Sequence, residues 1–514
     1  MVCRWASDFA GKEVYERIKR GHRAGVTAVG GDRMRKVGNW QVAKLILIAG
    51  LAASMIHAAQ AADLPTKAPS PDTVSSCFAS AANYFEASPV ECPLTWNGIT
   101  LYGAIDTGAG YQAHGVPFNA YYPNGVEELI SKNSNGWRYS LLPNGLGQSH
   151  VGVKGDEPIA NDWSLIFNLQ TGFDPYSLQL ANGPKSLVQN NLNSLDVQSA
   201  NGDSSRAGQI FNTIAYGGVS NPVFGTLTAG RQDSLNRVAM SVYDAMLGAP
   251  AFSLVGTSNT AAGTGDTEDA RFNSSVQYSN HIGPFRFAAL YQFGGYSQGN
   301  GSNGAIEGQI GGDLGGFSFD AVASKVRDAV SLSNYAQLPL PAGVSVDNLK
   351  ATLSNNTSGV IMLRYKYRIV TFYGGFEQIQ FQNPSDTYPQ GFTTLGGYTV
   401  LPGAVNSTQY DIAKILRVSW LGVRVAVRDD LDVAAAVYHY WQNNFNTDTC
   451  TNGGLSSSKC AGTLDAASVM VDYRITKRLD GYAGVMWSQV TGGQASGYLN
   501  SLNIAPTVGL RFQF

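Results

Sequence analysis

The chain has 514 residues, of which 44% are apolar, 11% aromatic and 14% charged, whereas charged residues make up about 25% of an ordinary soluble domain. A formal net charge of −2 together with 55 aromatic residues excludes an intrinsically disordered chain, and a pI of about 6.3 argues against a nucleic-acid partner. The body of the chain has no apolar runs of about 20 residues, which excludes a bundle of membrane-spanning helices. The 59 glycines and many aromatics therefore predict a large exported protein rich in strands and turns.

The first part of the chain has the pattern of a secretory leader. The apolar run at 45–53 follows Arg35, Lys36 and Lys44, and a small-residue site, Ala59-Gln60-Ala61, follows the run. We predict a signal peptide at 34–61 with cleavage after Ala61; the alternative for the run is a buried core helix. Residues 1–33 lie upstream of Met34, a natural start for the signal peptide, and resemble the product of a start codon placed too early. Residues 62–97 are interpreted as a periplasmic or plug-like extension.

Removal of the leader changes both the charge and the cysteine count. The mature chain would hold 25 basic and 33 acidic residues, a net charge of −8. It keeps Cys77, Cys92, Cys450 and Cys460, for which three pairings exist. The two close pairs, 77 with 92 and 450 with 460, are the most natural disulfide candidates in an oxidising compartment, with four free thiols as the alternative. Neither pair has the spacing of a zinc site, so we expect no metal and no cofactor.

From residue 98 onward the chain repeats segments of about ten residues in which apolar residues alternate with small or polar ones, which is the pattern of half-buried strands. We predict sixteen strands: 99–111, 148–156, 163–172, 209–218, 225–232, 271–279, 285–294, 305–312, 316–326, 359–368, 370–381, 410–428, 431–442, 468–475, 481–489 and 504–514.

The gaps between these strands alternate strictly between long and short. Such alternation is typical of a transmembrane β-barrel, which has short periplasmic turns and long external loops. The predicted fold is therefore an all-β, 16-stranded antiparallel transmembrane barrel at 98–514. A barrel of 16 to 18 strands is too wide for its own side chains to fill and encloses an aqueous channel.

Alternation within the strands predicts which side chains face the channel. In 148–156, Val151 and Val153 share one face, while His150 and Lys154 share the other. In 359–368, Arg364 and Lys366 oppose the apolar face. Because lipid-facing positions must be apolar, the charged residues are expected in the lumen.

Four stretches of the sequence resemble general porins of Gram-negative bacteria, of the α-proteobacterial type. The stretches are 101–106 (LYGAID), 149–157 (SHVGVKGDE), 224–232 (FGTLTAGRQ) and the terminal 509–514 (GLRFQF), which ends in the phenylalanine that the assembly machinery of such proteins reads. They occur in the family's order and span most of the mature chain.

The resemblance implies an outer-membrane homotrimer in which the loop after the fifth strand, here 233–270, folds inward and narrows the channel. It also implies that acidic loop residues face basic wall residues. The acidic positions here are Asp244, Asp266, Glu268 and Asp269, and the matching basic positions are His150, Arg231 and Arg271.

For several of these predicted constriction residues a second interpretation remains open. A histidine at 150, where the family usually has arginine, would titrate near pH 6.5 and make the constriction partly pH-sensitive. Arg231 has the parity of lipid-facing Leu227 and Ala229, so its role requires a bulge at Gly230. The alternative for Arg231 and Arg271 is an interfacial arginine, and that for the loop acids is solvated charge. Residues 266, 268 and 269 are of a type that binds Ca²⁺, but no further fixed ligands accompany them.

The sequence thus predicts an outer-membrane porin for passive diffusion of small hydrophilic solutes and ions. The charge of −8 and four loop acids favour weak cation selectivity, since rings of charge filter ions by sign. The alternatives are a substrate-specific channel, an outer-membrane barrel enzyme, and a secreted propeller or lectin. The enzyme is disfavoured because no G-x-S-x-G or H-E-x-x-H motif is present.

Overall fold

The computed structural model describes the chain from Cys77 to the terminal Phe514, with gaps in several loops. The described residues are 77–114, 136–181, 185–198, 209–257, 271–298, 300–335, 340, 343–386, 394–395, 398–447, 450–451 and 455–514. The predicted leader, the start at 1–33 and part of the predicted extension, 62–76, lie outside them.

Sixteen antiparallel strands form a single closed wall. Strand β1 pairs with β2 on one side and with β16 on the other, from Ala104 opposite Gln513 to Gly110 opposite Thr507. Closure satisfies the backbone of both end strands, which a sheet in lipid requires. The strands are β1 Ile99–Gln112, β2 His150–Ala160, β3 Trp163–Gly172, β4 Ile214–Asn221, β5 Gly225–Asp233, β6 Arg271–Ile282, β7 Phe285–Gln292, β8 Ala305–Leu314, β9 Phe317–Ser333, β10 Asn348–Tyr367, β11 Val370–Gln382, β12 Lys414–Arg428, β13 Leu431–Gln442, β14 Gly462–Arg474, β15 Leu479–Gly492 and β16 Leu502–Gln513.

The connections confirm the alternation of long and short gaps. Short turns join β2 to β3, β4 to β5 and each later even strand to its successor, whereas longer segments follow the odd strands. At the first short turn, Asn161 and Asp162 both have positive φ, 50° and 63°, as a two-residue type I′ hairpin requires. All the short turns lie at one end of the barrel, which is the periplasmic end of such proteins.

The wall differs most from the prediction in two places; elsewhere, β4 begins five residues later and β14 six residues earlier than predicted. Residues Arg138–Pro143, predicted as loop, form a strand that pairs with the outer half of β1 and continues the line of β2. Strands β9 and β10 are longer than predicted, because their hairpin continues past the bulge between Val326 and Ala329. Polar residues dominate this extension of β10, so apolar alternation gave no signal there.

The two faces of the wall differ as a channel in lipid demands. Along β1, Leu101 and Ile105 are exposed on the outside, while Ala104 and Asp106 are buried on the inside. The large buried apolar cluster lies within the lumen, where wall residues such as Trp420 and Tyr482 pack against Met246 and Phe252 of the segment that follows β5.

The remaining elements are short. Helices α1 to α4 are Ala81–Glu86, Lys185–Gln189, Leu235–Val242 and Leu254–Thr257; 3₁₀ turns are Leu195–Val197, Gly295–Gln298 and Gly493–Ala495; further short strands are Leu94–Trp96, Thr394–Leu395, Tyr398–Asn406, Cys450–Thr451 and Ser456–Ser457. Within the described ranges, none of these helices has the length and apolar character needed to cross a membrane.

The seam between β1 and β16 depends on a glycine. A Cβ at Gly103 would lie 2.5 Å from the carbonyl oxygen of His150 and 2.6 Å from the Phe514 ring. We therefore expect Gly103→Val to obstruct closure and to reduce the heat-modifiable folded band on SDS gels. Ala109→Val, on the exposed outer face of the same strand, is the control and should leave that band unchanged. Equal yields of folded protein from the two variants would contradict this account of the seam.

Candidate channel constriction

The segment after β5 turns into the barrel and begins with helix α3. Ser234 caps the helix, because its hydroxyl accepts a hydrogen bond from the backbone N–H of Arg237 at 3.1 Å. Leu235, Ala239 and Met240 form the buried side of α3 and pack in the lumen cluster. A burial pattern of this kind fixes the helix against the inner wall.

Two buried glutamates of the wall hold the start of this helix. Glu307 of β8 accepts a hydrogen bond from the backbone N–H of Leu235 at 2.7 Å. Glu377 of β11 accepts one from the side-chain amide of Asn236 at 3.0 Å. Unsatisfied N–H groups at a helix start favour acceptors, so Glu307 satisfies a donor that the helix leaves open.

The middle of the segment reaches the opposite wall at β12 and β13. The indole N–H of Trp420 donates to the carbonyl oxygen of Tyr243 at 3.0 Å, and the Tyr438 hydroxyl donates to the Asp244 carboxylate at 2.8 Å. The guanidinium of Arg424 contacts the Ala245 carbonyl at 3.4 Å. The segment is thus bound across the lumen and not only along the strand from which it leaves.

Near Ala251 the inserted segment contacts residues 144–149, a stretch between the Arg138–Pro143 strand and β2 that turns into the lumen; we call it the inward excursion. The N–H of Ala251 donates to the Gly145 carbonyl at 3.0 Å. Asp106 of β1 holds this excursion, since its carboxylate accepts from the N–H groups of Leu146 and Gly147 and from the Tyr482 hydroxyl, at 2.7, 3.0 and 2.6 Å.

Asp244 has a different place from the one expected of a channel acid. Its side chain is fully buried, and its oxygens accept from Tyr438, from the Gly248 N–H and from Ser253. Burial raises the pKa of this carboxyl, although these hydrogen bonds oppose the rise. Asp244 therefore fastens the segment to the wall and is not displayed to the channel, contrary to the prediction. Asp266, Glu268 and Asp269 lie outside the described residues.

The predicted basic positions 150, 231 and 271 all lie on the inner side. His150 is half-buried and its Nδ1 is 2.7 Å from the Gln148 carbonyl oxygen. A bulge between Gly230 and Gln232, with Gly230 at φ 141°, turns Arg231 away from lipid. The Arg231 side chain is only 6% exposed and donates to the Asn212 carbonyl at 3.0 and 2.8 Å.

Arg271 is paired within the wall. It is 6% exposed, and its Nε donates to the Asp233 carboxylate at 2.9 Å. Arg237 of α3 contacts the same carboxylate at 3.1 Å. Asp233, Arg237 and Gln148 line a cavity of about 280 Å³ beside the inserted segment. The base of the segment therefore combines both signs of charge around a small open space.

The three further lumen candidates, Lys154, Arg364 and Lys366, share the inner parity of their strands. The Lys154 ammonium lies 5.3 Å from the centre of the Tyr102 ring, and the Arg364 guanidinium lies 5.8 Å from that of Tyr243 in the inserted segment. Arg364 thus stands at the constriction, while Lys366 lies closer to the periplasmic turn.

Sequence reasoning missed three arginines of the inner wall. Arg286 binds Asp320 at 2.8 Å and the Tyr243 hydroxyl at 2.5 Å; Arg424 binds Asp432 and Asp472, both at 3.0 Å; Arg511 binds Asp480 at 2.7 Å. Each has inward parity in its strand, which was the available signal. Their partners on neighbouring strands became visible only with the register.

Of the two predicted cysteine pairs in the mature chain, the structure joins one by a disulfide bond and not the other. Cys450 and Cys460 form the predicted disulfide, buried beside Phe445. Cys77 and Cys92 carry no S–S bond in the structure, but both are buried with their side chains in hydrogen-bond contact, so the second bridge stays a prediction.

Comparison with known proteins identifies relatives among the Gram-negative porins. Residues 52–493 match the family model of the Gram-negative porins. An outer membrane porin protein of Bordetella pertussis is 25% identical over 259 residues, which cover 50% of this chain and 55% of that protein. The chain thus spans about half the length of this curated relative.

Solved structures share the architecture. The anion-selective porin from Comamonas acidovorans has a TM-score of 0.51 at 16% identity, covering 81% of this chain and 99% of that one. A loop deletion mutant of OmpT, an outer membrane protein of Vibrio cholerae, has a TM-score of 0.50 at 12% identity, with 81% and 99% covered.

A closed sixteen-strand wall with a segment bound across its lumen is the architecture of an outer-membrane porin barrel. The chain belongs to the Gram-negative porin family.

Proposed function

We propose that this porin is a general diffusion channel, which passes small hydrophilic solutes and ions through a water-filled lumen. The observation that carries the proposal is the inserted segment, which crosses a lumen too wide for wall side chains to fill. Charged side chains beside it, such as Arg364, give the constriction a polar surface.

Conductance in planar bilayers tests the proposal. Refolded mature protein should give ohmic steps, and liposomes containing it should swell in small sugars. Val418→Pro is the matched negative control, because proline in a strand paired on both sides removes a ladder hydrogen bond. Absence of steps from folded protein, or saturable uptake of a single solute, would favour the substrate-specific alternative.

The proposal includes a homotrimer and a weak preference for cations. Because Asp244 is buried, the cation preference rests on Asp266, Glu268 and Asp269 and on the mature charge of −8. The Comamonas protein is named for the opposite selectivity, but 16% identity relates the folds alone. Chemical cross-linking in native membranes tests the trimer. If only the monomer band appears after cross-linking, the homotrimer is contradicted, whereas the channel proposal is not affected.

A further inference from the structure

The segment before β1 bridges the seam at the periplasmic end of the barrel. Its short strand Leu94–Trp96 pairs with Ile99–Leu101 of β1, beyond the point where Phe514 pairs with Gly103. On the other side of the seam, the Phe85 ring lies 5.8 Å from that of Phe512 in β16. The same short segment therefore touches both strands that close the barrel.

An arginine from the β14–β15 turn is enclosed by this segment. The Arg478 side chain is 1% exposed and donates to the carbonyl oxygens of Tyr84 at 2.8 Å, Cys92 at 2.5 Å and Ser88 at 3.3 Å. Its guanidinium also lies 3.9 Å from the centre of the Tyr84 ring. A buried charge is tolerated only when hydrogen-bonded, so these carbonyls must keep their arrangement.

A second contact repeats the attachment. Lys477, next in the turn, pairs with Glu91 at 2.9 Å. The backbone N–H of Ser88 and the Lys477 ammonium lower the pKa of Glu91 to about 2. Glu91 therefore stays charged at neutral pH and adds to the hold on the turn.

Two thiols stand at the ends of the stretch that surrounds Arg478. Cys77 and Cys92 are 7% and 0% exposed, and their side chains are in hydrogen-bond contact. The Cys92 carbonyl is itself one of the Arg478 acceptors. A bond between the two sulfurs would close residues 77–92 into a ring around the guanidinium.

We propose that Cys77 and Cys92 form an oxidation site, and that their disulfide locks residues 77–92 around Arg478 as a latch over the β1–β16 seam. The observations that carry it are the contact between the thiols, the enclosed guanidinium and the contacts on both sides of the seam. The latch can assemble only after the barrel closes, because its two attachment points belong to opposite ends of the wall.

The chemistry is thiol–disulfide exchange with the disulfide of a periplasmic protein thiol oxidase. The Cys77 thiolate attacks one oxidant sulfur, giving a mixed disulfide and releasing one oxidant thiolate. Cys92 then loses its proton to water and attacks the Cys77 sulfur, which releases the second thiolate. The two cysteines lose two electrons and the oxidant becomes a dithiol. We assign the first attack to Cys77 because it is the more exposed of the two thiols, 7% against 0%; burial raises the pKa of Cys92 to about 11.

Peptide mapping of full-length porin purified from outer membranes tests the bond directly. The stretch from Cys77 to Cys92 contains no lysine or arginine but has Glu86 between the two cysteines. Cleavage after Glu86 should therefore leave the two halves joined until reductant is added. Halves that separate without reductant, with both thiols alkylated, would overturn the proposal.

Heat stability of the folded band on SDS gels tests the latch. In a Cys450→Ser/Cys460→Ser background, which removes the other disulfide, reductant and the added Cys77→Ser/Cys92→Ser substitutions should lower the transition temperature equally. Reductant should not lower that of the quadruple variant further. Arg478→Gln should lower it as well. Arg368→Gln is the matched control, since Arg368 occupies another periplasmic turn and lies 5.4 Å from the centre of a tyrosine ring. If Arg478→Gln behaves like Arg368→Gln, the latch does not hold the seam.

Discussion

Trp420→Ala should release the inserted segment and raise single-channel conductance, with larger current fluctuations. The side chain is 2% exposed, donates to the Tyr243 carbonyl, and packs so closely on β11 that a Cβ at Gly375 would lie 2.1 Å from its ring. Replacing a buried tryptophan with alanine costs about 3–5 kcal/mol. Here the loss falls on the contact between segment and wall, because the backbone ladder of β12 remains intact.

The control is the next residue in the chain. Leu421 lies on the outer face and is 67% exposed, so Leu421→Ala should leave the conductance unchanged. Tyr438→Phe, which removes one donor from the buried Asp244 carboxylate, should shift conductance in the same direction as Trp420→Ala but less. A Trp420→Ala channel with the conductance and noise of the unaltered protein would show that the other contacts suffice to hold the segment.

Arg364→Gln should shift the reversal potential in a salt gradient towards cation selectivity. The guanidinium lies over the ring of Tyr243 in the inserted segment, so it acts on ions where this segment crosses the lumen. A unit charge about 8 Å from a passing ion is worth about 0.5 kcal/mol in bulk water, which corresponds to roughly a twofold change in the permeability ratio. Exclusion of water at the constriction would increase this figure.

The acidic residues should act with the opposite sign. Asp266→Asn/Glu268→Gln/Asp269→Asn should shift the reversal potential towards anion selectivity, whereas Asp244→Asn should not, because that carboxyl is already buried. Arg368→Gln is the control for Arg364, since it changes the same charge at the periplasmic turn. If Arg364→Gln and Arg368→Gln give equal shifts, overall charge and not the constriction sets the selectivity.

The strands of the wall were predictable from the sequence because each strand, taken separately, must present apolar side chains to lipid. Strands β3 and β13 begin and end at the predicted residues, and the long and short gaps fall as expected. The inner position of His150 followed from alternation alone. Prediction failed at Arg138–Pro143, where a strand interrupted by the excursion at 144–149 has no continuous pattern to detect.

The charges of the constriction were less predictable. Alternation placed Arg231 towards lipid, and only the bulge at Gly230 turns it inward. The resemblance to general porins placed Asp244 in the channel, and only its contacts with Tyr438 and Gly248 bury it. The position of Arg231 depends on a local break in register, and that of Asp244 depends on a residue far away in the sequence. The periodicity of a single strand reveals neither.

The sequence by itself determined the sixteen strands and their faces, because in each strand every second residue must suit either lipid or water. Its resemblance to general porins implied which loop enters the lumen. The tertiary structure decided which charges remain in the channel, which bind the inserted segment to the wall, and that Cys92 lies against an arginine from the far end of the chain. Those properties depend on which residues face each other across a closed barrel, and closure brings together parts of the chain that lie far apart in sequence.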